Sequence, residues 1–400
     1  MKPSLSISLF FLALLAASGC GGNYKRSDES TAGHAGADEA AAGNSADWRA
    51  GTAGSSGART LIGGASSSGG AGERSVNAAG ASDGSASAGA GGAGSSAGAA
   101  TAGSAGMNPR PTSCDDLPVS CGPNNDEDCC TSLSVPHGSF TRHANGQAFP
   151  ASVSDFELDR YEITVGRFRH FLAVYSRQLI PAGAGKNPHN PADSGWDPAW
   201  NASLPEDAAA LDAALSCGDN YQTWSARPGD SSSENRPLTC LSWFEAEAFC
   251  IWDNGRLPTD AEWTYAASGG AEQRLYPWGN AAPDCTYANF FGASDGTDFC
   301  VLPGVGAPNP VGSESPKGDG KWGQADLGGN ISEWVQDYAH VFPDQCQDCA
   351  TLTPSTTSGN RVVKGGSFAE NGQVMQTGFR VSGPGTAQVF GARCARAPAP

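Results

Sequence analysis

The chain has 400 residues, with 24 Lys or Arg against 41 Asp or Glu, and a formal net charge of −17. Residues 108–400 hold 18 of the basic and 34 of the acidic side chains, and this balance disfavours nucleic acid and anionic membrane surfaces as partners. The acidity is compatible with binding a hard cation, although it also serves solubility alone.

Residues 1–19 have the pattern of a secretory signal peptide. Lys2 precedes an apolar run at 9–17, which is too short to span a bilayer as a permanent helix, and small residues lie directly before Cys20. This ending resembles a bacterial lipobox, which implies that Cys20 is lipidated; ordinary cleavage beside an incidental cysteine is the alternative. Residues 21–22 lack the Asp that commonly retains bacterial lipoproteins on the inner membrane. The resemblance therefore implies an exported lipoprotein of the bacterial cell envelope, at the outer membrane or the cell surface.

A low-complexity segment follows the predicted signal peptide. Between residues 21 and 107, 61 of 87 positions are Gly, Ala or Ser, and such a segment lacks the apolar side chains that would offset its ordering entropy. We expect residues 20–107 to be a disordered tether. A Cys-rich preface at 108–149 and a domain at 150–400 complete the predicted organisation.

Twelve cysteines remain once Cys20 is set aside, and all of them lie between Cys114 and Cys394. An even number in an exported chain indicates disulfides, and the only spacing suited to zinc, Cys346-x-x-Cys349, has no matching second pair. The cysteines group in sequence as Cys114, Cys121, Cys129 and Cys130; Cys217 with Cys240; Cys285 with Cys300; and Cys346 with Cys349, leaving Cys250 and distant Cys394. The sequence alone does not fix the connectivity.

The predicted elements of the domain begin with one or two short strands in 150–164 and a helix that starts at Thr164. Residues 180–236 are rich in Pro, Asn, Gly and Ser, which predicts a long irregular region anchored by its tryptophans. Short strands are predicted at 361–368, 378–381 and 390–396. These patterns favour an α+β domain with little regular secondary structure.

Two helix starts are marked by capping boxes. Ser242 is followed three residues later by Glu245, and Thr259 is followed by Glu262, so each hydroxyl and each carboxylate can cap the other's backbone N–H. The second helix is predicted to end at Gly269-Gly270.

Several blocks give the chain a family resemblance. Residues 241–270 read LSWFEAEAFCIWDNGRLPTDAEWTYAASGG, and YPWGN, DLGGNISEW, RVVKGGSF and FGARC follow in order. Together with the upstream FELDRYEITVGRF, they resemble the formylglycine-generating enzyme family, also called sulfatase-modifying factor, over about 155–396. The resemblance implies the family's variant of the C-type lectin fold, and it implies a disulfide between Cys250 and Cys394.

Enzymes of this family oxidise a sulfatase cysteine to formylglycine with O₂ and a copper ion held by two cysteines. A thiolate pair suits Cu(I) because both partners are soft. The resemblance places Glu370 and Met375 at those two positions, and there is no Cys between 350 and 393. We therefore expect no copper and no formylglycine-generating activity.

The resemblance also implies structural calcium. One site would use the side chains of Asp326 and Glu333 with the carbonyls of Gly329 and Ile331, an oxygen set that suits Ca²⁺. The alternative is a turn with a solvated Asp326 and a helix-capping Glu333. A second calcium site would use Asn289, Phe290 and Asp298.

Three functions remain open from the sequence. The preferred one is an exported, lipid-anchored binding or structural module on this scaffold without oxidase chemistry, whose partner is a protein, a peptide or a glycan and whose membrane contact is the lipid anchor. The second is an active metal-dependent oxidase of the family with altered ligands, and the third is a purely structural envelope protein.

Overall fold

The computed structural model describes residues 110–144, 146–217, 221–225, 233–292, 298–301, 306–386 and 390–398. The predicted signal peptide, Cys20 and the tether lie outside these residues. The described part forms an α+β domain with much irregular backbone, as expected for the fold class. None of its helices has the length and apolar composition that crossing a bilayer requires.

The described residues contain four α-helices: α1 Val165–Val174, α2 Ala208–Ala214, α3 Trp243–Trp252 and α4 Asp260–Ala267. The side-chain oxygen of Thr164 caps α1, and both predicted capping boxes are formed, at Ser242 for α3 and at Thr259 for α4. After α4, Gly269 and Gly270 both take positive φ angles, which end the helix as predicted. The short helix α2 falls within the region that we predicted to be irregular.

Nine strands form three small sheets in the described residues. The strands are β1 Ser132–Val135, β2 Gly138–Ala144, β3 Gln147–Val153, β4 Phe156–Asp159, β5 Glu333–Tyr338, β6 Cys346–Gln347, β7 Asn360–Lys364, β8 Val381–Pro384 and β9 Ala395–Arg396. The strand orders are β1-β4-β9, β2-β3-β6 and β5-β7-β8. All neighbours are antiparallel except β3 and β6. The preface and the domain share these sheets, since β1 pairs with β4 and β3 runs across residue 150.

Two large apolar clusters form the core. One surrounds α1 and α3 and includes Phe168, Trp243 and Phe249, which are fully buried. The other lies between α4 and the sheets and includes Trp263 and Val362. Phe168 stacks on Phe249 with ring centroids 5.4 Å apart, so α1 packs directly on α3.

Six disulfides join all twelve cysteines of the described residues. The pairs are Cys114–Cys130, Cys121–Cys129, Cys217–Cys240, Cys250–Cys394, Cys285–Cys300 and Cys346–Cys349. The long-range pair implied by the resemblance is present, and it ties α3 to the residue before β9.

Candidate functional site

The two positions aligned with the family's copper cysteines have different surroundings. Met375 is fully buried and packs in an apolar cluster with Tyr276, Ala288 and Phe290. The Oε2 atom of Glu370 accepts a hydrogen bond from the Ser332 hydroxyl at 2.9 Å. The thioether of Met375 is therefore surrounded by apolar side chains, while the carboxylate of Glu370 is hydrogen-bonded to the residue that precedes β5.

Every cysteine of the described residues is oxidised. A Cu(I) ion needs soft thiolate or thioether ligands, and none of these cysteines is a thiol. The described domain therefore offers only methionine sulfur as a soft ligand at the aligned positions.

The predicted calcium loop is a tight turn between residues 326 and 331. Asp326, Gly329 and Asn330 all have positive φ angles, at 57°, 87° and 61°. A Cβ atom at Gly329 would lie 2.6 Å from the carbonyl oxygen of Asn289, so only glycine fits this approach. The loop thereby brings the first predicted calcium segment against the second one.

Glu333 is engaged by other side chains. Arg393 donates to both of its oxygens, with Nε 2.9 Å from each and Nη2 2.7 Å from Oε1, and Trp263 Nε1 donates to Oε2 at 2.9 Å. A carboxylate has about four acceptor positions, and these contacts use them. In this arrangement the lone pairs of Glu333 are taken by Arg393 and Trp263, and none is directed to a metal ion.

A third carboxylate, which the sequence reasoning did not single out, joins this region. Glu162 is fully buried and accepts from Asn330 Nδ2 at 2.8 Å and from the Ile331 amide at 3.3 Å. Burial and the neighbouring carboxylates of Asp326 and Glu333 raise the pKa of Glu162 well above its usual value. The sequence signal that could have identified Glu162 is an acidic side chain among the apolar residues that follow β4.

At the first predicted calcium site, the charge of the carboxylates favours a calcium ion, whereas their hydrogen bonds do not. Among the described residues, Arg393 is the cation that acts on both Glu162 and Asp326, so full ionisation of these carboxylates and Glu333 would leave two surplus negative charges, which a divalent ion would neutralise. Against this, Glu333 is saturated and Asp326 Oδ2 already accepts from the Gly312 amide at 2.6 Å. In the part of the chain that the structure describes, no three His, Cys, Asp or Glu side chains are grouped to hold a metal.

The second predicted calcium site has a free acceptor. Asn289 is 1% exposed, its amide nitrogen donates to the Ala307 carbonyl at 2.8 Å, and its Oδ1 has no hydrogen-bond partner. A buried carbonyl oxygen without a partner is costly, and a cation would satisfy it. The Phe290 carbonyl accepts from the Cys300 amide at 3.2 Å, and Asp298 Oδ1 accepts from the Phe299 amide at 2.8 Å.

A groove crosses the molecule beside the β2–β3 hairpin. It consists of two adjoining clefts of about 350 and 740 Å³, which share Phe140, Thr141 and Gln273 in their walls. The smaller cleft is also lined by Arg142, His143, Phe342, Thr377 and Phe379, and the larger one by Pro150, Ser152, Gln345, Cys346 and Gln347. The groove therefore combines aromatic faces with amide and hydroxyl groups, a composition suited to a peptide or a glycan.

A buried cationic cluster lies behind the smaller cleft. Asp260 is within 3.6 Å of Lys364 and within 3.1 Å of Arg380, and Lys364 also donates to the Thr377 and Phe379 carbonyls. Burial lowers the pKa of Lys364 to about 8. Arg142 extends the cluster to the groove wall, with its guanidinium 4.2 Å from the Phe342 ring centroid.

Sequence comparison identifies the scaffold. The model of the sulfatase-modifying factor enzyme 1-like domain matches residues 120–398. The formylglycine-generating enzyme of Mus musculus is 33% identical over 151 residues, which are 36% of this chain and 40% of the mouse protein. The inactive C-alpha-formylglycine-generating enzyme 2 of Bos taurus is 37% identical over 115 residues, 28% of this chain and 36% of the relative. The chain thus spans less than half the length of these two relatives.

One of the solved structures to which the chain is similar is PvdO from Pseudomonas aeruginosa. It aligns with 72% of this chain and 100% of its own, with a TM-score of 0.45 and 20% identity. The family model covers well over half of the sequence, including both halves of the core and the loop at 326–333. This chain belongs to the sulfatase-modifying factor enzyme 1-like domain family.

Proposed function

We propose that this chain is an exported, lipid-anchored binding module on a formylglycine-generating-enzyme-like scaffold, and that it lacks the oxidase chemistry. The observation that supports the loss of chemistry is the absence of any thiol among the described cysteines, together with Glu370 and Met375 at the aligned copper positions. One relative is itself described as an inactive formylglycine-generating enzyme.

The oxidase alternative can be tested directly. The purified chain is incubated with O₂, copper and a cysteine-containing sulfatase peptide, and aldehyde formation, oxygen uptake and bound copper are measured. We expect no aldehyde and far less than one copper ion per chain, because soft ligands for Cu(I) are missing. Catalytic turnover with copper near one per chain would establish the oxidase alternative instead.

The groove beside β2 and β3 is the surface that we propose for binding. The half-buried Phe379 offers an aromatic face in the smaller cleft, and the side chains of Thr141, Gln273 and Gln347 offer donors and acceptors along the groove. An open groove of this kind binds an extended peptide or a glycan through a few directed hydrogen bonds and ring contacts.

The binding proposal is tested on peptide and glycan arrays with the labelled chain. Thr141 lines both clefts and is half-buried, so Thr141→Trp fills the groove; Val174, 52% exposed at the end of α1, supplies the control Val174→Trp. We expect specific binding that Thr141→Trp reduces at least about tenfold and Val174→Trp leaves intact. No specific binding by the wild-type chain would favour the structural envelope alternative, and specific binding that Thr141→Trp leaves unchanged would exclude the groove as the binding surface.

We also propose that calcium neutralises the acidic region around residues 289–333. The proposal is supported by the two surplus carboxylate charges at Glu162, Asp326 and Glu333, and by the unpartnered Oδ1 of Asn289. Calcium here is structural, since the loop it would brace connects α4 to β5.

A further inference from the structure

The disulfide between Cys346 and Cys349 differs from the other five in its place in the chain. It closes a Cys-x-x-Cys segment with a sequence separation of 3, whereas the others span 8 to 144 residues. The chain-entropy contribution of a disulfide grows with the length of the loop that it closes, so this pair contributes least to stability by that route. Cys-x-x-Cys is also the spacing at which paired thiols commonly exchange with other disulfides.

A cation lies next to one sulfur of this pair. Arg142 Nη2 is 3.8 Å from Cys349 Sγ, and Arg142 itself is 3% exposed. No carboxylate of the described residues lies within 4.0 Å of the Arg142 guanidinium, and its Nε has no hydrogen-bond partner. A guanidinium in this position stabilises a thiolate at Cys349, because a nearby positive charge favours the ionised sulfur.

The other charges around this pair are fixed by partners of their own. Asp260 and Asp337 act on Arg142 from a greater distance, and Arg380 acts on it as a like charge. The Asp348 carboxylate, which stands between the two cysteines in sequence, accepts from the Ser154 amide at 2.6 Å and from its hydroxyl at 2.8 Å. Arg142 is thus in contact with Cys349. Among the described residues, its guanidinium has no carboxylate partner.

The two sulfurs differ in burial. Cys346 is 5% exposed and belongs to the core cluster, although it also lines the larger cleft, while Cys349 is half-buried and contacts Arg142. The backbone of the segment has supports besides the S–S bond, because Asp348 donates its amide to the Ser152 carbonyl at 2.9 Å and Cys346 pairs with Ala151 across β3 and β6. Cys349 is therefore the more accessible sulfur of the pair.

We propose that Cys346 and Cys349 form a redox-active disulfide that exchanges with the dithiol of another exported protein at the half-buried Cys349. A thiolate of that dithiol attacks Cys349 Sγ, the Cys346–Cys349 bond breaks, and Cys346 leaves with the electron pair and takes up a proton. The second thiol of the partner then loses its proton, attacks the partner's own sulfur in the mixed disulfide and releases Cys349 as a thiolate beside Arg142. Two electrons pass from the partner dithiol to this pair, one of its two protons goes to Cys346 and the other to solvent, and the partner leaves as a disulfide. This activity is separate from the binding function proposed above, and neither depends on the other.

The first test is a redox titration of the whole chain. The protein is equilibrated in glutathione buffers of graded potential, free thiols are alkylated, and each pair is quantified by peptide mass spectrometry. We expect Cys346–Cys349 to be reduced while Cys217–Cys240 stays oxidised, with equilibrium constants that differ by at least about 100-fold. Reduction of the pair only together with Cys217–Cys240 would overturn the proposal.

Arg142 variants test the role of the cation. Arg142→Lys keeps the charge and Arg142→Met removes it, while Arg110→Met, at an exposed position paired with Asp128 and outside the groove, is the control. We expect Arg142→Met to lower the equilibrium constant for reduction about tenfold and Arg142→Lys and Arg110→Met to change it by less than about threefold. An unchanged constant in a folded Arg142→Met protein would remove Arg142 from the mechanism.

Single-cysteine variants decide the matter even where Arg142→Met does not fold. Cys346→Ser leaves the half-buried Cys349 beside Arg142, and Cys349→Ser leaves the buried Cys346. We expect the pH midpoint of iodoacetamide alkylation to fall clearly below about 8.5 in Cys346→Ser, and mixed-disulfide formation with oxidised glutathione to be faster in Cys346→Ser than in Cys349→Ser. A midpoint at or above 8.5 for Cys349 would contradict the assigned role of the two sulfurs.

Discussion

Glu333 and Arg393 form an ion pair in which neither side chain has exposed surface. The pair joins β5 to the segment before β9, and Arg393 also donates to the Arg160 and Ala325 carbonyls. A buried pair of this kind is costly to break from one side, because the remaining charge is left without compensation. This places Glu333 among the residues that hold the fold, whatever its relation to calcium.

We predict that Glu333→Ala lowers the free energy of unfolding by about 3–5 kcal/mol, both with calcium and with a chelator. Glu272→Ala is the control, because Glu272 pairs with Arg274 and Lys321 at the surface, where solvent screens the charges, and its loss should be far smaller. Denaturant titration measures both variants. A loss that appears only in calcium would instead make Glu333 a calcium ligand.

Glu247 gives a pH prediction at the same scale. It is 2% exposed and accepts from the Leu257 amide at 2.8 Å, and burial raises the pKa of its carboxyl to about 7. Between about pH 4.5 and 7 the folded state holds a proton that the unfolded state has released, so stability falls as pH rises through this window.

Glu247→Gln keeps an acceptor for Leu257 and cannot ionise. Relative to this variant, we expect the wild-type free energy of unfolding to decline by up to about 3 kcal/mol between pH 4.5 and 7. Other buried acids that titrate in the same range are common to both proteins and cancel in the difference. Glu206→Gln, at an exposed position, should show no such divergence, and parallel curves for wild type and Glu247→Gln would exclude the effect.

At the level of elements, the disulfide between Cys250 and Cys394 closes the two ends of the domain. It joins α3 to the residue before β9 with a sequence separation of 144. The chain-entropy model gives about 5 kcal/mol for a loop of this length and about 2 kcal/mol for the short Cys346–Cys349 loop.

We therefore predict that replacing Cys250 and Cys394 by Ala lowers the free energy of unfolding by about 3 kcal/mol more than replacing Cys346 and Cys349. The two double variants remove the same chemical group and differ in loop length, so each is the other's control. Denaturant unfolding of both proteins gives the comparison. Equal losses would mean that local packing, rather than the unfolded chain, sets the contribution of each bond.

The elements that could be predicted are those whose signals are local. The capping boxes at Ser242 and Thr259 define α3 and α4 because the hydroxyl and the carboxylate lie three residues apart. The strand predicted at 390–396 is only Ala395–Arg396, since its pairing is set by distant β4. The helix α2 was missed, although Asp207 caps it and its Ala and Leu residues favour a helix, because the whole of 180–236 was assigned from its content of Pro, Asn, Gly and Ser.

In the candidate site, too, the local features could be predicted and the long-range contacts could not. The family resemblance singled out Asp326 and Gly329, and the tight loop expected there is formed. The partnership of Glu333 with Arg393, 60 residues later, and the approach of Glu162 depend on tertiary packing that no local pattern specifies. Arg142 escaped notice for the same reason, because its contact with Cys349 joins residues 207 positions apart.

Across the whole molecule, a family scaffold is combined with cross-links, an acidic loop region and an open groove. The calcium proposal belongs to this scale, because the loops at 289–292 and 326–331 meet through the Asn330 amide and the Asn289 carbonyl at 2.8 Å. A cation bound only by the folded state raises its stability by mass action.

We predict that a chelator lowers the melting temperature and that calcium restores it. At a hundredfold excess over Kd the gain is about 2.7 kcal/mol, which for a domain of this size is about 5–10 °C. Asn289→Ala should reduce the calcium-dependent part, whereas Asn371→Ala, outside both predicted sites, should not. Identical melting curves with calcium and with chelator would rule out structural calcium.

The proposed lipid anchor belongs to the scale of the whole molecule, because it would decide where the domain operates. The proposal depends on Cys20, which follows the predicted signal sequence. We predict that Cys20→Ser moves the protein from the membrane fraction to the soluble exported fraction, since no other anchor is proposed. Ser18→Ala, which keeps a small residue before the cysteine, should leave the protein in the membrane fraction. Fractionation followed by immunoblotting distinguishes the two, and membrane retention of Cys20→Ser would show that lipidation at this residue is not the anchor.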